Sequence, residues 1–168
     1  MSLKSAWLDT PLGSMLAISD TERLYLLDFV ESKGLEYKIK RLKINTKSAI
    51  TEDRTRPIIS IEEELKSYFS GTLQKFNTPI YLLGSKFQKL VWQELMNVPY
   101  GETRSYFTQA KLIGMERSYR AVANANGANK FVIIIPCHCI INNNGKLGGY
   151  GSGLDHKKWL IEHERQKY

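Results

Sequence analysis

Cys137 and His138 are adjacent, and Pro136 precedes them at the end of the apolar run Phe131-Val132-Ile133-Ile134-Ile135. A thiol is a weak nucleophile and a thiolate a strong one, so chemistry at Cys137 needs a group that takes its proton. The neighbouring imidazole is suited to that task. Five apolar residues rich in β-branching read as a buried strand. Pro136 has no backbone N–H, so it ends the strand or lies at its edge and presents Cys137 at the mouth of a rigid, dry element. The competing reading is a buried structural thiol, the commoner fate of a lone Cys.

An acid that could orient the imidazole lies near the end of the chain. Asp155 is placed to cap a last helix, on which Trp159, Leu160, His163 and Glu164 share one face. Trp159 and Leu160 belong in the core, so Glu164 is drawn inward with them. A buried carboxylate is costly unless it is paired. Pairing it with His138 completes a Cys-His-acid set. The alternative is a solvated Glu at a frayed chain end.

The elements around these residues follow from local signals. Ser85 opens a helix with a capping box closed by Gln88, and Phe87, Leu90, Val91, Trp92 and Leu95 form its buried face. Pro99-Tyr100-Gly101 stops it. Ser105–Leu112 and Ser118–Gly127 read as two short helices around a turn at Gly114, the pattern of a helix-turn-helix. The second carries small residues, Ala121, Ala123, Ala125 and Gly127, which permit close approach to a flat surface or to a neighbouring helix. Arg120, near its start, is either a surface cation or a side chain aimed at nucleic acid. Asn144-Gly145 favours a type I′ hairpin. Gly148, Gly149, Gly151 and Gly153 surround Tyr150 in a loop that forms either a pocket wall for a planar ligand or a flexible turn.

The N-terminal half reads as scaffold. Thr10-Pro11-Leu12-Gly13 is a turn, and Met15–Ile18 and Leu24–Phe29 are strands of an antiparallel meander. Lys38–Lys47 fits helix or strand, and Thr51–Arg56 reads as a polar loop. Ser60 opens a helix with Glu63 completing a capping box, and Gly71 ends it. Phe76–Gly84 reads as a linker, which divides the chain into residues 1–80 and 85–168.

The composition narrows the function. The 168 residues carry a net charge of +7. Residues 1–84 hold 12 Lys and Arg against 11 Asp and Glu, and residues 85–168 hold 12 against 6. A positive field on the half that holds Cys137 points to a polyanion such as nucleic acid, or to a solvated basic surface. No stretch has the length of a membrane span, and the first residues lack the apolar core of a secretory signal. The two cysteines, one residue apart, make a poor disulfide, so a reducing, cytoplasmic setting is expected. Cys-x-Cys has no second pair at zinc-ligand spacing, so neither a metal nor a cofactor is expected.

With these residues in place, the C-terminal half resembles the O6-alkylguanine-DNA alkyltransferases, the methylated-DNA–protein-cysteine methyltransferases. The family signature Pro-Cys-His-Arg-Val appears as Pro136-Cys137-His138-Cys139-Ile140. Phe87-Gln88, Val91-Trp92, Pro99-Tyr100-Gly101, Ser105-Tyr106, Arg120-Ala121-Val122, Asn129, Gly149-Tyr150, Trp159-Leu160 and His163-Glu164 match in order and spacing. Thr10–Gly13 and Tyr68-Phe69-x-Gly71 extend the likeness more loosely into the N-terminal half.

The resemblance implies a ribonuclease-H-like α/β N-terminal domain, a small antiparallel sheet with a helix, followed by a mainly α, winged-helix-like DNA-binding domain. It implies Cys137 as alkyl acceptor, His138 and Glu164 as its relay, Asn129 as support for the Cys segment and Tyr106 as the group that binds and protonates guanine. Arg120, Ser118, Ala121, Tyr106 and Gly127 would contact DNA, and Tyr150, Gly149, Gly151 and Ile140 would line the pocket. The reaction implied is a single irreversible methyl transfer from O6-alkylguanine, and from O4-methylthymine as a second substrate. The partner implied is alkylated double-stranded DNA, bound by a monomer. Cys139 departs from the motif Arg. The alkyltransferase-like proteins carry Trp at the acceptor position, which Cys137 excludes. The alternatives are a Cys-His hydrolase or acyltransferase and a non-catalytic binder of damaged DNA.

Overall fold

The computed structural model describes residues 2–166. The chain divides between Leu82 and Leu83 into two units.

In the N-terminal unit, strand β1 (Leu3–Thr10) turns through Pro11-Leu12 onto the antiparallel β2 (Gly13–Ser19). Strand β3 (Leu24–Phe29) adds antiparallel to β2, and β4 (Ile50–Glu52) adds parallel to β1, giving the order β3-β2-β1-β4. The stretch Thr51–Arg56 is thus not all loop. Its first residues complete the sheet, because backbone pairing with β1 outweighs their polar side chains. Every residue of β3 is buried. Asp28, within it, is neutralised by Lys38 of helix α1 (Leu35–Thr46) at 2.8 Å.

Helix α2 (Arg56–Phe69) starts four residues before the expected Ser60. Thr55 is the N-cap, its Oγ1 accepting from Ile58 N at 3.3 Å, and Pro57 occupies the first turn, where a missing N–H is harmless. Ser60 instead shares a 2.7 Å hydrogen bond with Thr78. The supposed linker Phe76–Gly84 is partly built into this unit. Leu24 N donates to Pro79 O, and Tyr81 N donates to Leu24 O, both at 2.8 Å.

The C-terminal unit begins with helix α3 (Lys86–Leu95), whose Ser85–Gln88 capping box is present in both directions. Val91, Trp92 and Leu95 are buried and Phe87 is half-buried, but Leu90 faces solvent. Strand β5 (Arg104–Ser105) leads into helix α4 (Tyr106–Leu112), capped by Ser105. A one-turn 3-10 helix, Glu116–Ser118, precedes helix α5 (Tyr119–Gly127). A reciprocal amide pair, Gln109 with Asn126, joins α4 to α5 through two buried 2.7 Å hydrogen bonds. Trp92 Nε1 donates to Ala125 O at 2.8 Å and fixes α5 to α3. Strand β6 (Ile140–Ile141) pairs in parallel with β5, and helix α6 (Leu154–Arg165) closes the unit.

The structure departs from three local expectations. Phe131–Ile135 is a buried turn, not a strand. Ile134 N donates to Val132 O at 2.9 Å and Ile135 N to Phe131 O at 2.8 Å, closures that no extended strand makes. Asn144-Gly145 is not a type I′ hairpin. Only Gly145 has a positive φ there, and its N–H donates to Asn142 O at 3.0 Å, so Asn143 and Asn144 are the centre of the turn. Asp155 lies in the first turn of α6, where its charge favours the helix N-terminus, while Gly153 is the N-cap.

Among the described residues, no helix is long and apolar enough to cross a membrane.

Candidate active site

The turn Phe131–Ile135 is organised by one amide. Asn129 is buried, and its Oδ1 accepts from Phe131 N at 2.9 Å. Its Nδ2 donates to Ile135 O at 2.8 Å and reaches Cys137 Sγ at 3.3 Å. The amide thereby satisfies backbone groups that a sheet ladder would otherwise have paired. It also holds Ile133 at a φ of 73°, a region that a β-branched residue enters only when its surroundings enforce it. Beyond Pro136 the chain makes a single 3-10 turn, Cys137–Cys139, which leaves Cys137 half-buried and His138 and Cys139 buried.

Helix α6 supplies the acid. Leu160 and Ile161 are buried on the same side as His163 and Glu164, and Glu164 meets His138 Nε2 through its Oε2 at 2.6 Å. The other carboxylate oxygen accepts from Gly101 N at 3.3 Å and lies 3.9 Å from Cys139 Sγ. Gly101 has a φ of +85°, and a Cβ there would sit 2.9 Å from Glu164 O, so glycine is required where the 99–101 turn meets α6. With Nε2–H donated to the carboxylate, His138 Nδ1 is the free acceptor. This atom is buried and has no hydrogen-bond partner among the described residues. Burial alone pushes the His138 imidazole down. The Cys139 sulfur and the Glu164 carboxylate outweigh it and hold His138 well above its usual range, which makes it a stronger base.

Tyr106 opens α4 on another side of the site. Burial, with the negative charge of Cys137 added, raises its phenol above the ordinary value, so it keeps its proton and remains a donor. The ring also lines an open cleft of about 470 Å³ with Tyr119, Ala123, Asn142, Asn143 and Asn144. That volume lies within the roughly 300–1,000 Å³ of small-molecule sites. On α5, Val122, Ala125 and Asn126 are buried, while Arg120, Ala121, Asn124 and Gly127 face outward. Ser118 is exposed just before the helix. The small residues therefore divide, with Ala125 in the core and Ala121 and Gly127 on the open face. Tyr150 is half-buried, Gly151 exposed and Ile140 fully buried. Gly149 offers its carbonyl to Lys157 at 3.0 Å.

The sequence model described as "6-O-methylguanine DNA methyltransferase, DNA binding domain" matches residues 86–166. The methylated-DNA–protein-cysteine methyltransferase of Methanosarcina barkeri is 40% identical over 157 residues, covering 94% of each chain. This chain belongs to the methylated-DNA–protein-cysteine methyltransferase family. Among solved structures, the O6-methylguanine methyltransferase of Mycobacterium tuberculosis is 34% identical with a TM-score of 0.83, covering 97% of this chain and 93% of that one. The OGT of the same organism in complex with DNA is 34% identical, with a TM-score of 0.82 and coverage of 98% and 93%.

One feature of this methyltransferase-family site escapes sequence reading. Lys157 is fully buried, one turn before Ile161 on α6, and its ammonium lies 5.9 Å from the Tyr106 ring centroid. Burial lowers it to about 8, against an opposing pull from Cys137 and Cys139. Nothing in the pattern Asp155-His156-Lys157-Lys158 sets this lysine apart from its solvated neighbour. Gly148, in the loop read as a pocket wall or a flexible turn, has a φ of +72°, and a Cβ there would lie 2.8 Å from Asn142 Oδ1 and 3.3 Å from Tyr106 Cε2.

The amide of Asn129 holds this turn together. Asn129→Ala leaves buried backbone groups unpaired and is expected to cost about 2–4 kcal/mol, read as a lowered urea midpoint of the C-terminal unit. An unchanged midpoint would show that the turn holds itself.

Proposed function

We propose that this protein repairs DNA by direct reversal, moving a methyl group from O6 of guanine to Cys137 Sγ. The observation that carries this reading is the buried 2.6 Å His138–Glu164 pair beside a half-buried thiol. The likeness to the Mycobacterium tuberculosis protein in complex with DNA supports DNA as the partner. His138 Nδ1 takes the Cys137 proton through one bridging water, and Glu164 stabilises the imidazolium that forms. The thiolate attacks the methyl carbon in line. A carbon–sulfur bond forms, the carbon–O6 bond breaks, and its electron pair passes into the guanine, which Tyr106 protonates as it leaves. The thioether has no carbonyl for water to attack, so each molecule reacts once. O4-methylthymine offers the same alkyl–oxygen bond and is a second substrate on this reading.

A target alkyl group inside a duplex is out of reach of a half-buried thiol, so the nucleotide is flipped out at a cost of a few kcal/mol. The outward face of α5 meets the DNA, with Ser118, Ala121 and Gly127 allowing close approach and Arg120 filling the vacated stack. The base enters beside Tyr106 and Cys137, and on this reading Tyr150, Gly149, Gly151 and Ile140 form or support the pocket wall there. Helices α4 and α5 then act as the helix-turn-helix of a winged-helix-like domain, and the sheet order β3-β2-β1-β4 fits a ribonuclease-H-like N-terminal domain. One monomer treats one lesion.

Incubation with a duplex containing O6-methylguanine should add one methylene to the intact mass of each chain and then stop. Cys137→Ser should abolish the gain and still bind DNA. Transfer surviving in Cys137→Ser would refute the acceptor assignment, and catalytic turnover of an ester with no mass gain would favour a hydrolase.

Lys157 adds a pH dependence with a definite sign. Its side chain titrates at about 8, so it carries a positive charge near Cys137 at pH 7 and little charge at pH 9.5. A nearby cation favours the thiolate. Lys157→Met should therefore slow single-turnover transfer at pH 7 by about tenfold and change it much less at pH 9.5. An equal loss at both pH values would mean that the lysine acts through packing alone.

A further inference from the structure

The Cys139 sulfur takes part in none of the bond changes of the reaction, yet it completes a cluster. One donor atom each from His138, Cys139 and Glu164 lie within 4.8 Å of one another. The three residues are 0%, 2% and 7% exposed. We propose that Cys139, His138 and Glu164 form a binding site for a thiophilic divalent cation, Zn²⁺ or Cd²⁺, and that filling it switches off Cys137. The second clause rests on the relay described above; the binding itself does not.

The donor chemistry fits. A thiolate, an imidazole nitrogen and a carboxylate oxygen are ligands of tetrahedral zinc, and the thiolate adds preference for soft ions. The charges fit as well. One thiolate and one carboxylate cancel a dication, so the occupied site is neutral, as burial demands. Tetrahedral bonds of about 2.0–2.3 Å place ligand atoms about 3.3–3.6 Å apart. Cys139 Sγ and Glu164 Oε1, at 3.9 Å, need close only slightly. The His138–Glu164 hydrogen bond, at 2.6 Å, is too short to span a cation, so the cation must replace it. The metal forms bonds to sulfur, nitrogen and oxygen, and a water takes the fourth position. The thiol proton goes to solvent, the imidazole proton moves from Nε2 to Nδ1 as the cation takes Nε2, and no group changes oxidation state. His138 then has no lone pair left for the Cys137 proton. The motif Arg offers no metal ligand, so the site belongs to chains with Cys at this position. It also departs from the sequence expectation, in which Cys-x-Cys alone lacked ligand spacing. The third donor comes from α6, 25 residues after Cys139.

The test uses the full-length Cys137→Ser chain, titrated with Cd²⁺ in thiol-free buffer by calorimetry and ultraviolet charge-transfer absorption. One Cd²⁺ per chain with a thiolate–cadmium band is expected. In Cys137→Ser/Cys139→Ser the band should vanish, and the affinity should fall by more than the roughly 10–100-fold that loss of an outer-shell partner costs. Cys137→Ser/Cys139→Ala serves as a second variant, and thermal unfolding without metal establishes that each is folded. No band in Cys137→Ser, or a band that persists without Cys139, overturns the site. In chains that retain Cys137, saturating Cd²⁺ should stop methyl transfer, a chelator should restore it, and Cys139→Ser should keep its own metal-free rate in Cd²⁺. Equal inhibition with and without Cys139 would place the ion on Cys137 and overturn the switch. Binding is read in a chain without Cys137, so its failure stays distinct from any failure of methyl transfer by metal-free protein.

Discussion

A carboxylate inside a protein needs a partner, and most of the C-terminal unit follows from how Glu164 finds one. Its two oxygens face different groups, the His138 imidazole on one side and the Gly101 amide and Cys139 thiol on the other. Three segments far apart in sequence therefore meet at one side chain. Removing one member of such a pair costs roughly 3–5 kcal/mol, because the other is left buried and uncompensated. The same contact sets the tautomer of His138 and the direction in which its basic nitrogen points. Structure and chemistry share one interaction here.

The approach to the thiol is built differently, from backbone held in place by an amide. Residues 131–135 look like a strand because every composition signal for a buried strand is also a signal for a buried turn. Apolarity reports burial, and β-branching reports burial with weak conformational preference. What decides the matter is Asn129, two residues before the run, which occupies the backbone groups that a neighbouring strand would need. An Asn with four hydrogen-bond sites inside an apolar context is a local sign of such a turn, but its targets cannot be read from one sequence.

Elsewhere, legibility tracked the range of the interaction. The Ser85 box, the Gly114 turn and the two short helices depend on neighbours within four residues, and all were readable, whereas on α6 Leu160, His163 and Glu164 are buried as read but Trp159 is half-buried and Ile161 is in the core. Strand β4 was not, because its polar side chains are irrelevant to the parallel pairing that makes it a strand. Ser60 reads as a cap because Glu63 completes its local pattern, while the cap in the structure is Thr55, inside the stretch that reads as loop. The His138–Glu164 pairing was legible because burial on one helix face forces a charged residue to seek a partner. Lys157 was invisible because a buried lysine and a solvated one share the same helix pattern. Cys139 as a cluster member was invisible because the third donor, Glu164, lies 25 residues further along the chain.

The central claim is that the His138–Glu164 pair, not the local backbone, makes Cys137 nucleophilic. The most direct measurement is the rate at which iodoacetamide modifies Cys137 at neutral pH, followed by peptide mass, in the wild type and in Glu164→Gln. Glutamine keeps the size of the side chain and removes its charge. The account predicts a loss of at least about tenfold, with the fold retained by circular dichroism. Equal rates would show that Cys137 is activated without the pair, and the proposed relay would be wrong.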